Sequence, residues 1–233
     1  MNEKKQSIAI RIVLITAFLL TVLFTLLSGV GTYCAAFKTE QYPSMAALLP
    51  YQLLYQILVI ASISIGLWGL WGFGALVRKR TNAYRNAIII LSLGLLTGTI
   101  QMITSEIVRG NSVPVNFRVY LTLVTLLMFL FAWWKVQGAL IGLVEPDKEA
   151  NPGLVALGSA LVAGGILTLT THLWVGDSHF AENGYSWVYD LKGYLLVFGG
   201  SLVFSGSGLW LLVLLRKLRH LKSQNVATLE RNA

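Results

Sequence analysis

Two ionisable residues, Glu106 and His172, stand inside otherwise apolar stretches, each about one turn short of the end of its stretch. Charged or titratable groups within a membrane span are rare and by default mark functional positions. A carboxylate facing an imidazole can relay protons, bind a cation or orient a polar ligand. Gln101, Thr104 and Ser105 accompany Glu106, and Thr168, Thr170 and Thr171 accompany His172. Gln52, Tyr55 and Gln56 add polar groups on a second apolar stretch, and Thr122 and Thr125 on a fourth. The opposite halves of these stretches carry far fewer such groups, which predicts a polar pocket opening outward over an apolar floor. The candidate ligand-binding set is Glu106, His172, Gln101, Thr104, Ser105, Thr171, Gln56, Arg109 and Arg118. The two arginines bound the loop Arg-Gly-Asn-Ser-Val-Pro-Val-Asn-Phe-Arg, where they could meet a lipid phosphate or an anionic ligand. Arg109 is also one turn from Glu106, close enough for a local ion pair.

Glu106 and His172 are paired by an internal similarity. The segments from Gly98 and from Gly164 align without a gap: Thr104 matches Thr170, Ser105 Thr171, Glu106 His172, Gly110 Gly176, Asn111 Asp177 and Ser112 Ser178. Arg118-Val-Tyr-Leu then matches Lys192-Gly-Tyr-Leu across a longer loop. This predicts a parallel repeat of a two-helix unit, spans three and four against spans five and six.

Other chemistries find less support. His172 and His179 are seven residues apart, with Asp177 and Glu182 nearby, a spacing that suits a metal only if the intervening loop folds back. No metal and no cofactor is expected, and His220, placed on the cytoplasmic side, leaves no pair for a bis-histidine haem. Ser205-Gly206-Ser207-Gly208 lacks the first glycine of a nucleophile elbow, and there is no HExxH. No catalytic residue is assigned. The single cysteine, Cys34, excludes an internal disulfide and a CxxC redox pair.

The elements that must position these groups are apolar helices. Hydrophobic residues make up 55% of the chain and charged ones 12%, outside the range of a soluble domain. A bilayer core of roughly 30 Å needs about 20 apolar residues per helix, and six stretches reach that length: 8–30, 51–77, 87–108, 119–144, 154–175 and 193–215. The expected fold is all-α, six transmembrane helices in one bundle and one domain over 1–233. The net charge of +8 is read as topology, not as a nucleic-acid footprint, because the cations flank the spans. Thirteen fall in the tails and in alternate loops and four on the opposite side, Lys38, Arg109, Arg118 and Lys192, with Lys135 inside the fourth span. That asymmetry predicts both termini in the cytoplasm. The first apolar run exceeds a signal-peptide core and no small-residue cleavage site follows, so it is read as a retained anchor.

Partners follow from the same composition. Lipids surround the spans, and small-residue faces offer seams to a protein partner or to a second copy. Gly94 and Gly98 form one such pair, Ser201 and Ser205 another, and Gly66, Gly69, Gly72 and Gly74 strip one helix of bulk. The paired tryptophans Trp68/Trp71 and Trp133/Trp134, with Trp174 and Trp187, fit interfacial belts. With no Asn-x-Ser/Thr acceptor in the chain, a prokaryotic plasma membrane is expected. These features predict a non-catalytic membrane protein, an accessory or structural subunit or a small-ligand or lipid-binding bundle. The alternative is a secondary transporter or proton-coupled carrier using Glu106 and His172.

Overall fold

The computed structural model describes residues 3–41, 43–80, 82–136, 152–174 and 187–231. Among them the chain is helical, with no strand: α1 (Glu3–Gly31), α2 (Tyr33–Phe37), α3 (Gln52–Val77), α4 (Ala83–Arg109), α5 (Val115–Val136), α6 (Pro152–Leu169), α7 (Thr171–Trp174), α8 (Trp187–Asp190) and α9 (Lys192–Arg231). Two 3₁₀ segments, Thr39–Gln41 and Pro43–Tyr51, join α2 to α3. Five helices are long and apolar enough to cross a membrane: Ala9–Phe37, Met45–Val77, Ala83–Arg109, Val115–Trp134 and Lys192–Arg216. The fifth apolar stretch of the sequence gives the shorter helix Gly153–Leu169. It stops where the hydroxyls of Thr168, Thr170 and Thr171 each turn back onto a carbonyl one turn earlier, at Gly164, Ile166 and Leu167. Such back-bonds compete with the helical ladder and bend it.

Helices α1, α3, α4 and α5 pack into a four-helix core, and α6 joins it through α1 while pairing most extensively with α9. α1 lies in a trough on α3 made by Gly66 and Gly69, where an added Cβ would strike Leu26 and Val22. Gly74 of the same run meets nothing and takes no part. The α6–α9 pair is antiparallel and closer still. A Cβ at Gly206 would stand 2.5 Å from the Gly158 carbonyl oxygen, and one at Gly165 2.7 Å from that of Gly199, so backbone rests on backbone. The pair Ser201 and Ser205, expected to form this kind of seam, is exposed on another face of α9.

The four-helix core has two unlike ends. At the end where α1 stops and α3 begins, residues 33–41 and 43–51 fold over as a cap, burying Ala35, Ala36, Met45 and Leu48 against Tyr55 and Val59. The stretch between the first two spans is therefore largely helical rather than an open loop. At the other end the α3–α4 turn gathers Arg78, Lys79 and Arg80, and the Arg11 guanidinium donates to the Leu76 and Val77 carbonyls at 3.1 Å each. These carbonyls lie in the last turn of α3, so a cation there also meets the negative pole of the helix dipole.

Candidate functional site

α5 begins at Val115, directly after Pro114, with the Asn116 amide donating to the Ser112 carbonyl. Arg118 therefore lies in the first turn of a helix and not in the loop expected to hold it. Helical geometry then sets its direction. Residues 118, 122, 125, 129 and 132 share one face of α5, and all five are buried. Down this face the stripe reads Arg, Thr, Thr, Phe, Ala.

The Arg118 side chain is 2% exposed and is the one charged group among the buried described residues. Nη1 donates to Ser28 Oγ at 3.2 Å and to Ser62 Oγ at 3.1 Å, and Nη2 to Thr97 Oγ1 at 3.0 Å and to the Gly94 carbonyl at 3.3 Å. Nε is buried with no hydrogen-bond partner. Ser28, Ser62 and Gly94 belong to α1, α3 and α4, so the guanidinium ties α5 to its three neighbours. Gly94 is near the middle of α4, about 16 Å from its start by helical rise, and Ser62 is about 15 Å along α3. Room comes from Gly98, where a Cβ would lie 3.6 Å from Nε and 3.1 Å from a Val119 methyl. All four acceptors are neutral. A buried charge is costly unless it is paired, and neutral oxygens delocalise the charge without cancelling it.

Arg118 sits within a polar column. Toward the capped end, Gln101 Nε2 donates to Thr32 Oγ1 at 2.7 Å, Tyr55 shares a 2.7 Å bond with Ser105, and Gln56 donates to the Ala36 carbonyl of the cap. Toward the other end lies a small void between Thr25, Gly94 and Thr122, followed by the Thr21–Thr125 hydroxyl pair at 2.9 Å. Apolar residues then close the column: Leu14, Phe18, Ile90, Leu91 and Phe129 are all buried. Phe129 packs on Tyr84 with ring centroids 5.0 Å apart, and the Tyr84 hydroxyl donates to the Phe129 carbonyl.

The expected candidates divide on this geometry. Gln101 and Ser105 are buried in the column, Gln56 and Thr104 are half-buried beside it, and Arg118 is at its centre. Glu106 is exposed on the last turn of α4, and Arg109 is half-buried there. His172 and Thr171 lie on α7, both half-buried, with Thr171 bonded to its own helix at Leu167. Neither Glu106 nor His172 contributes to the hydrogen bonds of the column. Equivalent contacts are also absent at the first aligned glycines, since Gly98 meets Val119 and Arg118 while Gly164 meets nothing. His179, Asp177, Glu182 and Ser178 lie outside the described residues. Among the described residues, no three His, Cys, Asp or Glu side chains come together as metal ligands.

Sequence reasoning left out Ser28, Thr32, Ser62 and Thr97, which carry or extend the arginine's network. Each is a small hydroxyl residue in an apolar run, and only its neighbours on other helices distinguish it. No family model, curated protein or solved structure matches the chain. The site's own chemistry carries the functional reading.

Proposed function

We propose that this is a non-catalytic integral membrane protein whose four-helix core binds a small anionic ligand at Arg118. The single observation behind this is a buried guanidinium held by neutral oxygens, with a buried Nε–H that has no acceptor. An arginine keeps its proton in proteins, so a negative group at the site would supply both the missing acceptor and the missing countercharge. In the proposed topology α6 and α7 together make a sixth span, both termini are cytoplasmic, and the capped end faces outward. Burial of Arg118 supports this orientation: it removes one of the four cations assigned to the outer side and leaves Lys38, Arg109 and Lys192. The column then runs inward from the cap to an apolar floor, as an outward-facing pocket would.

The exposure of Glu106 gives the carrier reading no support, since a coupling carboxylate is expected inside the bundle or a cavity. A buried, apolar floor at Phe18, Ile90 and Phe129 favours binding over passage. The test is thermal unfolding of the purified protein in neutral detergent, titrated at constant ionic strength with chloride, nitrate or acetate against gluconate. A saturable rise in Tm for at least one small anion, lost in Arg118→Met, is the expected result. Identical titrations for the two proteins would overturn it. Uptake by proteoliposomes that survives Arg118→Met but is lost in Glu106→Gln would restore the carrier.

A further inference from the structure

At the end of the core away from the cap, a small cleft of about 50 Å³ opens to the surface between α1, α3, α4 and α5. Its polar rim holds three cations, Arg11, Lys79 and Arg80, and none of the described residues lining it is acidic. Leu14, Ile15 and Leu76 form its apolar wall. Three cations with no acidic residue in the described lining, at the end of a bundle of membrane-length helices, match the phosphodiester of a lipid headgroup.

The backbone gives a second reason to take the rim as selected for its charge. α3 ends in a Schellman motif: the Arg80 amide donates to the Ala75 carbonyl at 3.0 Å, and the Lys79 amide to Leu76 at 3.3 Å. The left-handed position of that motif usually belongs to glycine, yet here Lys79 takes it, at φ 54°. A side chain is held at a position where its Cβ costs stability. Arg11, meanwhile, is anchored by one guanidinium nitrogen to the Leu76 and Val77 carbonyls, so its charge stays fixed beside the cleft.

We propose that this cleft is a binding site for the headgroup of an anionic phospholipid, with its phosphate among Arg11, Lys79 and Arg80. Basic pockets between transmembrane helices bind acidic headgroups in this way. The site is independent of Arg118 and of whether this end faces the cytoplasm.

The experiment is native mass spectrometry of the full chain from nanodiscs of phosphatidylcholine with a minor fraction of phosphatidylglycerol. The wild type is expected to retain at least one phosphatidylglycerol per chain. The double variant Lys79→Gln/Arg80→Gln should lose about tenfold or more in retention, on the scale of two basic groups at a membrane surface. Arg216→Gln/Arg219→Gln removes the same charge from α9 away from the cleft and should change retention little. Equal losses in both double variants would reduce the effect to general surface charge and overturn the site. Inorganic phosphate or glycerol phosphate displacing the lipid at millimolar concentration would overturn the lipid as its occupant. Lys79→Gly separates binding from folding: it relieves the left-handed backbone, so Tm should hold or rise while retention falls. Unchanged retention in Lys79→Gly would remove Lys79 from the site and the backbone argument with it.

Discussion

Between α6 and α9 the two backbones touch through glycine, whereas among α1, α3, α4 and α5 the interior is filled by side chains, several polar and one charged. Both are ways to bring helices together where lipid is as apolar as leucine and burial alone supplies little drive. The glycine seam gains dispersion over a long close contact and specifies little chemistry. The polar core gains less per contact and fixes the positions of donors and acceptors. A seam without chemistry suits a support; a core with a buried cation held by neutral oxygens suits a site. That difference is open to attack from either side.

The largest effect is expected in the seam. Gly206→Leu places a side chain where a Cβ already stands 2.5 Å from the Gly158 carbonyl oxygen, and backbone cannot move aside as a flexible side chain can. Overpacking costs about 1–3 kcal/mol in ordinary cores and more where nothing yields, so the expected loss is at or above the top of that range. Gly208→Leu, two residues on and with nothing within 4 Å, should be nearly neutral. Thermal unfolding in detergent reads both. Similar Tm values for the two variants would mean that the seam does not hold α6 to α9.

Next comes Arg118. Truncation in Arg118→Ala leaves Ser28, Ser62 and Thr97 facing a cavity, with an expected cost of about 2–4 kcal/mol. Arg118→Met fills much of the same volume without a charge, and in the absence of an anion it should be neutral or stabilising, as replacing buried ionic groups by apolar ones often is. The sign of that second result sharpens the comparison. A methionine as costly as the alanine would make Arg118 a structural tie between four helices, no different in kind from the seam.

How far these regions could be read from sequence differs for a physical reason. A bilayer demands a fixed apolar length, so some helix bounds are well expressed: the stretch 51–77 became Gln52–Val77 and 87–108 became Ala83–Arg109, whereas 154–175 gave only the shorter Pro152–Leu169. Which face of a helix turns inward is less well expressed. Arg118 was counted with the outer cations because Pro114 and the basic residue together resemble a loop end. The spacing 118, 122, 125, 129, 132 carried the correct reading, since an arginine in register with two threonines and a buried phenylalanine shares their face. On α9 two small-residue stripes compete, Ser201/Ser205 and Gly199/Gly206, and only contact with α6 decides for glycine. Pairing Glu106 with His172 rested on similarity along the chain, which says nothing about whether two side chains turn into one bundle.

Gly98→Ala should have a smaller effect, and it probes the space beside the arginine. The new methyl would stand 3.1 Å from Val119 and 3.6 Å from Nε, contacts that side chains can relieve by small shifts. A loss of about 0.5–1.5 kcal/mol is expected, reduced by the alanine's better helix propensity. The useful measurement is anion response alongside Tm. A methyl that crowds Nε should weaken the anion-dependent rise in Tm more than it lowers Tm itself. Weakening of neither would place the anion on another side of the guanidinium.

The smallest expected effect is at the Thr21–Thr125 pair, below the void. The Thr21 hydroxyl lies 2.9 Å from both the Ala17 carbonyl and Thr125 Oγ1, so when Thr21 donates to its own helix, Thr125 must donate to Thr21. Removing Thr21 in Thr21→Val leaves Thr125 able to turn back to a carbonyl of its own helix, as Thr122 does to Arg118 at 2.7 Å. Each single substitution should therefore cost well under the desolvation penalty of an orphaned hydroxyl. A double-mutant cycle with Thr125→Val isolates what remains, and about 0.5 kcal/mol is expected, near the average for interhelical hydrogen bonds in membranes. A coupling of zero would mean that these hydroxyls are satisfied within their own helices and that the polar column ends at Arg118. A coupling well above 1 kcal/mol would mean that the column is one cooperative network reaching from the cap to the aromatic floor, and Arg118 its charged centre.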